Sequence, residues 1–225
     1  MAQIQIHLDS DFIAGAASDA GLNALACVKH LKPGETLYVE AESAGFCYQI
    51  LSGVMKEYNT LEDGRRQVAE FYSDGAMIGL SAEPQHLHTA EAVTPCAVRC
   101  FPREAFMHAA AASPELSQAL LNETLMRLDR ARERMVMIGR MSAMQRVASF
   151  LLRLAADQDA RENVSIFMSR QDIADHLGLT IETVCRALTE LKKVKAVSMS
   201  STRVFSIAEG GCLETIAMGA RARLH

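Results

Sequence analysis

The chain has 225 residues, 49% hydrophobic and 22% charged, with six cysteines, no tryptophan and a formal net charge of −4. That length allows one large domain or two small ones, and the composition is that of a globular chain, not a disordered or fibrous one. No apolar run approaches the length of a bilayer span, and the opening MAQIQIHLDSDF lacks the basic and apolar parts of an export signal, so a cytoplasmic location with no membrane partner is expected. The cysteines, at 27, 47, 96, 100, 185 and 212, form no CxxC pair and are expected as free thiols, which argues against a structural zinc or an iron–sulfur cluster.

Charge is unevenly spread. Residues 1–139 carry 11 Lys+Arg against 18 Asp+Glu, and residues 140–225 carry 12 against 9. A basic C-terminal module attached to an acidic N-terminal one suits a nucleic-acid partner despite the negative total.

From about Pro33 to Phe101 the segments GETLYVE, FCYQILSG, MKEYNT, RQVAEFYS, HLHTAEAV and CAVRCF alternate apolar and polar residues, with glycines at 34, 45, 53, 64 and 75 between or beside them. Short strands at that spacing predict a β-sandwich, barrel or jelly roll, and Asp63-Gly64 predicts a tight hairpin. Next, PREAFMHAA opens on a proline suited to a first helical turn, and Ser113-Pro114 starts a longer helix. Glu115 to Ile138 holds neither proline nor glycine. Leu121, Leu128 and Met135 recur every seven residues, as do Thr124, Ala131 and Ile138, with mixed charge between them. That is the pattern of a seam pairing with its own copy, the alternative being a helix laid on its own β-domain. Gly139 is expected as a hinge or helix break.

A further helix, AMQRVASFLLRLAAD, and a polar link, DQDARENVS, lead to SRQDIADHLGLTIETVCRALTELKK. Here Ser169 is placed to cap one helix, with Asp172 completing a capping box. Leu177-Gly178 ends that helix, and Thr180 caps the next. Ile173, Leu177, Val184, Leu188 and Leu191 supply inward faces, and Ala174 is small enough for a close crossing. This is a helix-turn-helix pattern. It leaves Ile181, Glu182, Cys185 and Arg186 on the outer face of the second helix. Arg186 suits the major-groove edge of guanine, Glu182 an exocyclic amine and Ile181 a thymine methyl. Ser169, Arg170, Thr180, Thr183, Lys192, Lys193 and Arg203 are candidates for phosphate, with Lys195 nearby. The competing explanation of Glu182 and Arg186 is an ordinary surface ion pair one turn apart. KAVSMSSTRVFSIAE follows as a predicted hairpin.

LKPGETLYVE, the LSG turn, LEDGRRQ, SDGAMIGL and, most specifically, MSRQDIADHLGLTIETVCRALTELKK resemble the CRP/FNR superfamily of bacterial transcription regulators over nearly the whole chain. The resemblance implies an α+β fold: an N-terminal cyclic-nucleotide-binding-like β-roll (jelly roll) over 1–112, a long dimerisation helix over 113–139 and a C-terminal winged helix-turn-helix over 140–225. It implies a homodimeric DNA-binding regulator, an activator more often than a repressor, that is not an enzyme. Its partners would be double-stranded DNA and RNA polymerase, with Glu62 and Asp63 as candidates for the polymerase contact. The dimer interface would hold Leu121, Thr124, Leu128, Ala131, Met135 and Ile138. The recognition helix is similar to the FixK/FNR branch, which reads TTGAT half-sites with Glu and Ser-Arg. Glu182 and Arg186 match, and Cys185 stands where Ser is usual, which bears on the outer bases of the half-site.

Members that bind cyclic AMP carry Gly-Glu and Arg-Ser/Thr, where this chain has Gly79-Leu80-Ser81 and His88-Thr89-Ala90, so cyclic-nucleotide control is not expected. Only Cys27 precedes residue 40, which excludes the branch's N-terminal iron–sulfur arrangement. No cofactor and no metal are expected. Cys185 is a redox candidate, because its oxidation to a sulfenic or sulfinic acid would add bulk, and in the second case charge, at the DNA face. Two alternatives stand beside this reading. One is the same regulator with an unidentified small-molecule or metal effector in the β-roll. The other is a cupin-like metal-dependent enzyme built on His86, His88, Cys96 and Cys100, although Cys96, Val98 and Cys100 share the parity of a core-facing strand.

Overall fold

The structure, a computed structural model, describes residues 20–219; the ends of the expected first and last domains, 1–19 and 220–225, lie outside the described residues. The chain forms two compact units, 1–129 and 130–225.

Among the described residues, the first unit has a short helix, α1 (Ala20–Ala24), and eight strands: β1 (Cys27–Leu31), β2 (Thr36–Tyr38), β3 (Phe46–Ser52), β4 (Met55–Thr60), β5 (Arg66–Tyr72), β6 (Met77–Ile78), β7 (Thr89–Ala92) and β8 (Cys96–Pro102). They form two antiparallel four-stranded sheets, in the orders β1-β8-β3-β6 and β2-β7-β4-β5. Four of the six strands expected from alternation span the segments read for them, while GETLYVE and HLHTAEAV shorten to β2 and β7. Two strands were not anticipated. β1 precedes Pro33 and is exposed along all but its last residue, so it shows no burial alternation. β6 has two residues, too few to carry a period. Between the sheets lie Ile50, Met55, Ile78, Val98 and the ring stack of Tyr38 on Tyr48, with centroids 5.4 Å apart. Cys96, Val98 and Cys100 are all buried, as their shared parity requires. Gly53 turns β3 into β4 with φ +97°, where a Cβ would lie 2.3 Å from the Pro95 carbonyl oxygen, so no side chain fits.

Pro102 leads directly into α2 (Arg103–Ala112). Phe106 and Ala110 of this helix pack with Phe101, Cys47, Met77 and Leu116 into a second cluster. The Ser113 hydroxyl accepts from the Leu116 N–H at 3.2 Å and caps the long helix α3 (Pro114–Arg140). Gly139 does not break α3, which continues to Arg140. The break comes at Met141-Ser142, where Ser142 and Gln145 form a capping box that starts the next helix.

In the second unit, α4 (Ala143–Asp157) is followed by β9 (Val164–Ser165), α5 (Arg170–Leu177), α6 (Ile181–Lys193), β10 (Val197–Ser201), β11 (Val204–Ile207) and α7 (Cys212–Ala217). The expected hairpin is β10-β11, but it is one side of a three-stranded sheet ordered β10-β11-β9. β9 arises inside the segment read as a polar link. Val147, Leu151, Ile166, Ile173, Leu177, Val184, Leu191, Phe205 and Leu213 are buried and form the apolar interior. Among the described residues, no helix is long and apolar enough to cross a membrane.

Candidate nucleic-acid interface

Two helix ends define the turn at the centre of the second unit. Ser169 accepts from the Asp172 N–H at 3.0 Å, while the Asp172 carboxylate accepts from the Ser169 N–H, a reciprocal capping box that starts α5. Gly178 ends α5 in the left-handed conformation (φ 62°, ψ 43°). Two residues later Thr180 accepts from the Thr183 N–H at 3.3 Å and starts α6. Ile173, Ala174 and Leu177 of α5 and Val184, Ala187, Leu188 and Leu191 of α6 are buried, which fixes both helices to the unit by their apolar faces.

The opposite face of α6 is consequently open. Ile181, Glu182, Cys185 and Arg186 are all exposed. Glu182 and Arg186 are not an ion pair: Arg186 has no hydrogen-bond or ion-pair partner among the described residues, and its guanidinium projects unengaged. The Glu182 carboxyl is held below the usual carboxylate range by its own backbone N–H and by the Thr180 hydroxyl, so it is an ionised acceptor at neutral pH. Lys192, Lys193 and Lys195 are exposed at and beyond the C-terminal end of α6, and Arg203 is exposed in the turn between β10 and β11.

The phosphate candidates differ in what they already hold. The Ser169 hydroxyl is shared between the Asp172 N–H and its carboxylate. Thr180 is engaged with the Thr183 N–H and lies 3.0 Å from the Thr183 hydroxyl. Arg170 is partly buried and donates through Nη2 to the Thr202 carbonyl oxygen at 2.7 Å, tying the first turn of α5 to the strand turn, while its Nη1 is buried without a hydrogen-bond partner. Burial pulls the Arg170 guanidinium below the usual arginine range, and the neighbouring Cys185 sulfur acts in the opposite direction. Among the described residues, the three lysines and Arg203 are exposed without such side-chain engagements.

One positioning residue was not legible in the sequence. Arg146 of α4 donates to the Leu177 carbonyl oxygen at 2.9 Å, to Ile138 at 2.7 Å and to Met141 at 3.1 Å. It satisfies carbonyls at the ends of both α5 and α3, and its side chain reaches 3.7 Å from where a Cβ on Gly178 would sit. Its only sequence signal is a basic residue inside an otherwise apolar-faced helix.

The six seam candidates of α3, Leu121, Thr124, Leu128, Ala131, Met135 and Ile138, are all exposed, as are Leu125 and Val136. Glu62 and Asp63 lie at the exposed tip between β4 and β5, where Asp63 accepts from the Arg65 backbone and guanidinium at 3.0 and 2.7 Å.

His86, His88, Cys96 and Cys100 are each engaged elsewhere. His86 stacks on Tyr38 at 3.8 Å, His88 lies 2.6 Å from the Asn59 amide oxygen, Cys96 donates to the Val54 carbonyl oxygen, and Cys100 faces β1. Among the described residues, no three His, Cys, Asp or Glu side chains gather as metal ligands. Between the sheets of the first unit, Glu57 accepts from the phenols of Tyr38 and Tyr72, while on the outer face of the β2-β7-β4-β5 sheet Glu91 pairs with Lys56 at 2.9 Å and Arg66 at 3.5 Å.

Residues 145–210 match the Crp-like helix-turn-helix domain, and residues 28–113 match the cyclic nucleotide-binding domain. The nitrogen fixation regulation protein FixK of Rhizobium meliloti (strain 1021) is 37% identical over 82% of this chain and 84% of its own length. The protein of the same name from Bradyrhizobium diazoefficiens is 38% identical over 76% of this chain and 73% of its own. Among solved structures, FixK2 from Bradyrhizobium japonicum superposes with a TM-score of 0.81 at 34% identity, covering 87% of this chain and 99% of that one.

Proposed function

The chain belongs to the CRP/FNR family and is a DNA-binding transcription regulator of the FixK/FNR type, not an enzyme, and from that premise we propose that it acts as a homodimer reading an inverted repeat of TTGAT-like half-sites, without cyclic-AMP control. The observation carrying the proposal is the two-sidedness of α6: one face is buried, while Ile181, Glu182, Cys185 and Arg186 are open and no described residue engages Arg186. A planar guanidinium with no internal partner can donate two parallel hydrogen bonds to guanine, and the adjacent ionised carboxylate can accept from a base amine. The exposed lysines and Arg203 supply salt-dependent affinity through phosphates. Ser169 and Thr180 contribute phosphate contacts alongside their capping roles, Thr183 does so from the first turn of α6, and Arg170 from its place beside the strand turn.

Leu121, Thr124, Leu128, Ala131, Met135 and Ile138 form the dimer seam. An exposed leucine and methionine stripe on a 27-residue helix is what a second copy would cover. The functional division of the chain follows: residues 1–112 as the β-roll, 113–139 as the dimer helix and 140–225 as the DNA-binding part. The protein acts as an activator through RNA polymerase, which Glu62 and Asp63 contact from the exposed β4–β5 tip. It works in the cytoplasm and needs no cofactor.

Cyclic-AMP independence is supported by the β-roll itself. His88 is occupied by Asn59, the Thr89 hydroxyl accepts from the Glu40 N–H at 3.0 Å, and Glu57 places a carboxylate between the sheets where a phosphate would be repelled. Redox modulation through Cys185 is supported by its exposure on the reading face and its closeness to Arg170. The test of the whole reading is binding-site selection from random duplexes with reduced protein and no added effector. Enrichment of a twofold repeat with half-site centres about 34 Å apart is expected. Recovery of no common sequence, or of an unrepeated one, contradicts it.

A further inference from the structure

β1 and β8 run antiparallel with Cys27 directly opposite Cys100. Residues opposite each other on antiparallel strands project from the same face, with Cα atoms about 4.5–5.5 Å apart, inside the range of about 4.4–6.8 Å that a disulfide accepts. Neither cysteine is in a disulfide; Cys27 is exposed at the start of the edge strand, and Cys100 is buried on the strand beside it. We propose that Cys27 and Cys100 form a peroxide-responsive dithiol that closes to a reversible disulfide, a modification site in the β-roll separate from the recognition helix.

The surroundings select this pair over others. Cys47, on the neighbouring strand β3, sits one residue before Tyr48, the residue opposite Cys100, and therefore on the other face of the sheet. Its sulfur contacts the Phe101 carbonyl oxygen in the cluster beneath α2, whereas Cys100 and Tyr48 belong to the cluster between the sheets. Cys96 shares the face of Cys100 but lies four residues along β8, about 13 Å away, opposite Leu31. The Cys27 and Cys100 thiols interact directly, and burial together with that neighbour pushes Cys100 up to about 11. The buried thiol therefore stays protonated and the exposed one meets the oxidant first.

The chemistry balances with hydrogen peroxide as oxidant. The Cys27 thiolate attacks one peroxide oxygen, the O–O bond breaks, and Cys27 becomes a sulfenic acid while hydroxide leaves and takes up the thiol proton as water. Cys100 sulfur then attacks the sulfenyl sulfur. The S–S bond forms, the S–O bond breaks, and the departing hydroxide takes the Cys100 proton as a second water. Two thiols lose two electrons and one peroxide gains them. A dithiol reductant reverses the step by exchange through a mixed disulfide. Closure would staple the solvent-facing edge strand to the strand that runs into α2.

The experiment uses the full chain carrying Cys185→Ser, so that the recognition-helix thiol cannot contribute. The protein is treated with a small excess of hydrogen peroxide and mapped by mass spectrometry without reduction. A peptide linking Cys27 to Cys100, two hydrogens lighter than the separate peptides and released by dithiothreitol, is expected, together with the loss of two free thiols. Cys27→Ser, a change at an exposed strand end, should abolish the link and leave Cys100 unmodified. Recovery of Cys27 as sulfinate with no linked peptide, or its linkage to any other cysteine, including Cys27 of a second copy, would overturn the proposal.

Discussion

Arg186 and Cys185 are neighbours with different physical roles. Arg186 is a donor that no described residue engages, whereas Cys185 is a weak hydrogen-bonding thiol beside Arg170. Cys185→Ser should therefore leave the fold unchanged and shift preference only at the outer bases of the half-site, measured by competition between base-substituted duplexes. After peroxide, wild-type affinity should fall and that of Cys185→Ser should hold; equal losses in both remove Cys185 as the redox site. A backbone prediction sits at Gly53. Gly53→Ala must accept a positive φ and a Cβ 2.3 Å from a carbonyl oxygen, so it should destabilise by more than about 1 kcal/mol in denaturant unfolding. A neutral result would mean that the β3–β4 turn can relax.

Elements were legible in the sequence where their own residues determine them. The Ser169–Asp172 capping box, the Thr180 cap, the glycine end of α5 and the buried spacing of α5 and α6 are local features, and the structure has each at the positions that the sequence predicts. β1, β6 and β9 were missed because an exposed edge strand or a two-residue strand has no period of its own and exists through its partner. Gly139 does not end α3, because a single glycine near a helix end weakens the helix without breaking it. The Arg146 bridge and the Arg170–Thr202 contact join residues more than 30 positions apart, a separation that spacing rules do not reach. Two predictions belong at this scale. Arg146→Met leaves carbonyls at the ends of α3 and α5 unsatisfied and should cost about 1–3 kcal/mol in unfolding of the full chain, with weaker DNA binding because the turn is loosened. His86, stacked on Tyr38 between the sheets, is held by burial below its ordinary value, partly opposed by Glu57 and Glu42. An unfolded histidine takes up its proton near pH ~6.5 while the folded one resists, so its contribution is intact above that pH and is lost as pH falls through the folded value. Urea unfolding from about pH 7.5 down to about pH 5 should show that loss in wild type and a flatter dependence in His86→Phe.

For the whole molecule, reading an inverted repeat requires two copies of α6 held in a twofold relation, and the α3 stripe is the surface available to hold them. Met135 is 69% exposed and Leu128 44% exposed in the single chain, which is unfavourable unless a partner covers them. Leu128→Glu with Met135→Glu should convert the protein to a monomer in sedimentation equilibrium and weaken binding to the full repeat far more than to a single half-site. The central claim is that base edges are read by the open face of α6, and affinity of wild type and Arg186→Ala for the selected repeat and for random duplex, at matched salt, tests it most directly. A loss of about 1–3 kcal/mol on the repeat with little change on random DNA is predicted; the same loss on both would reduce Arg186 to a phosphate contact and contradict the account.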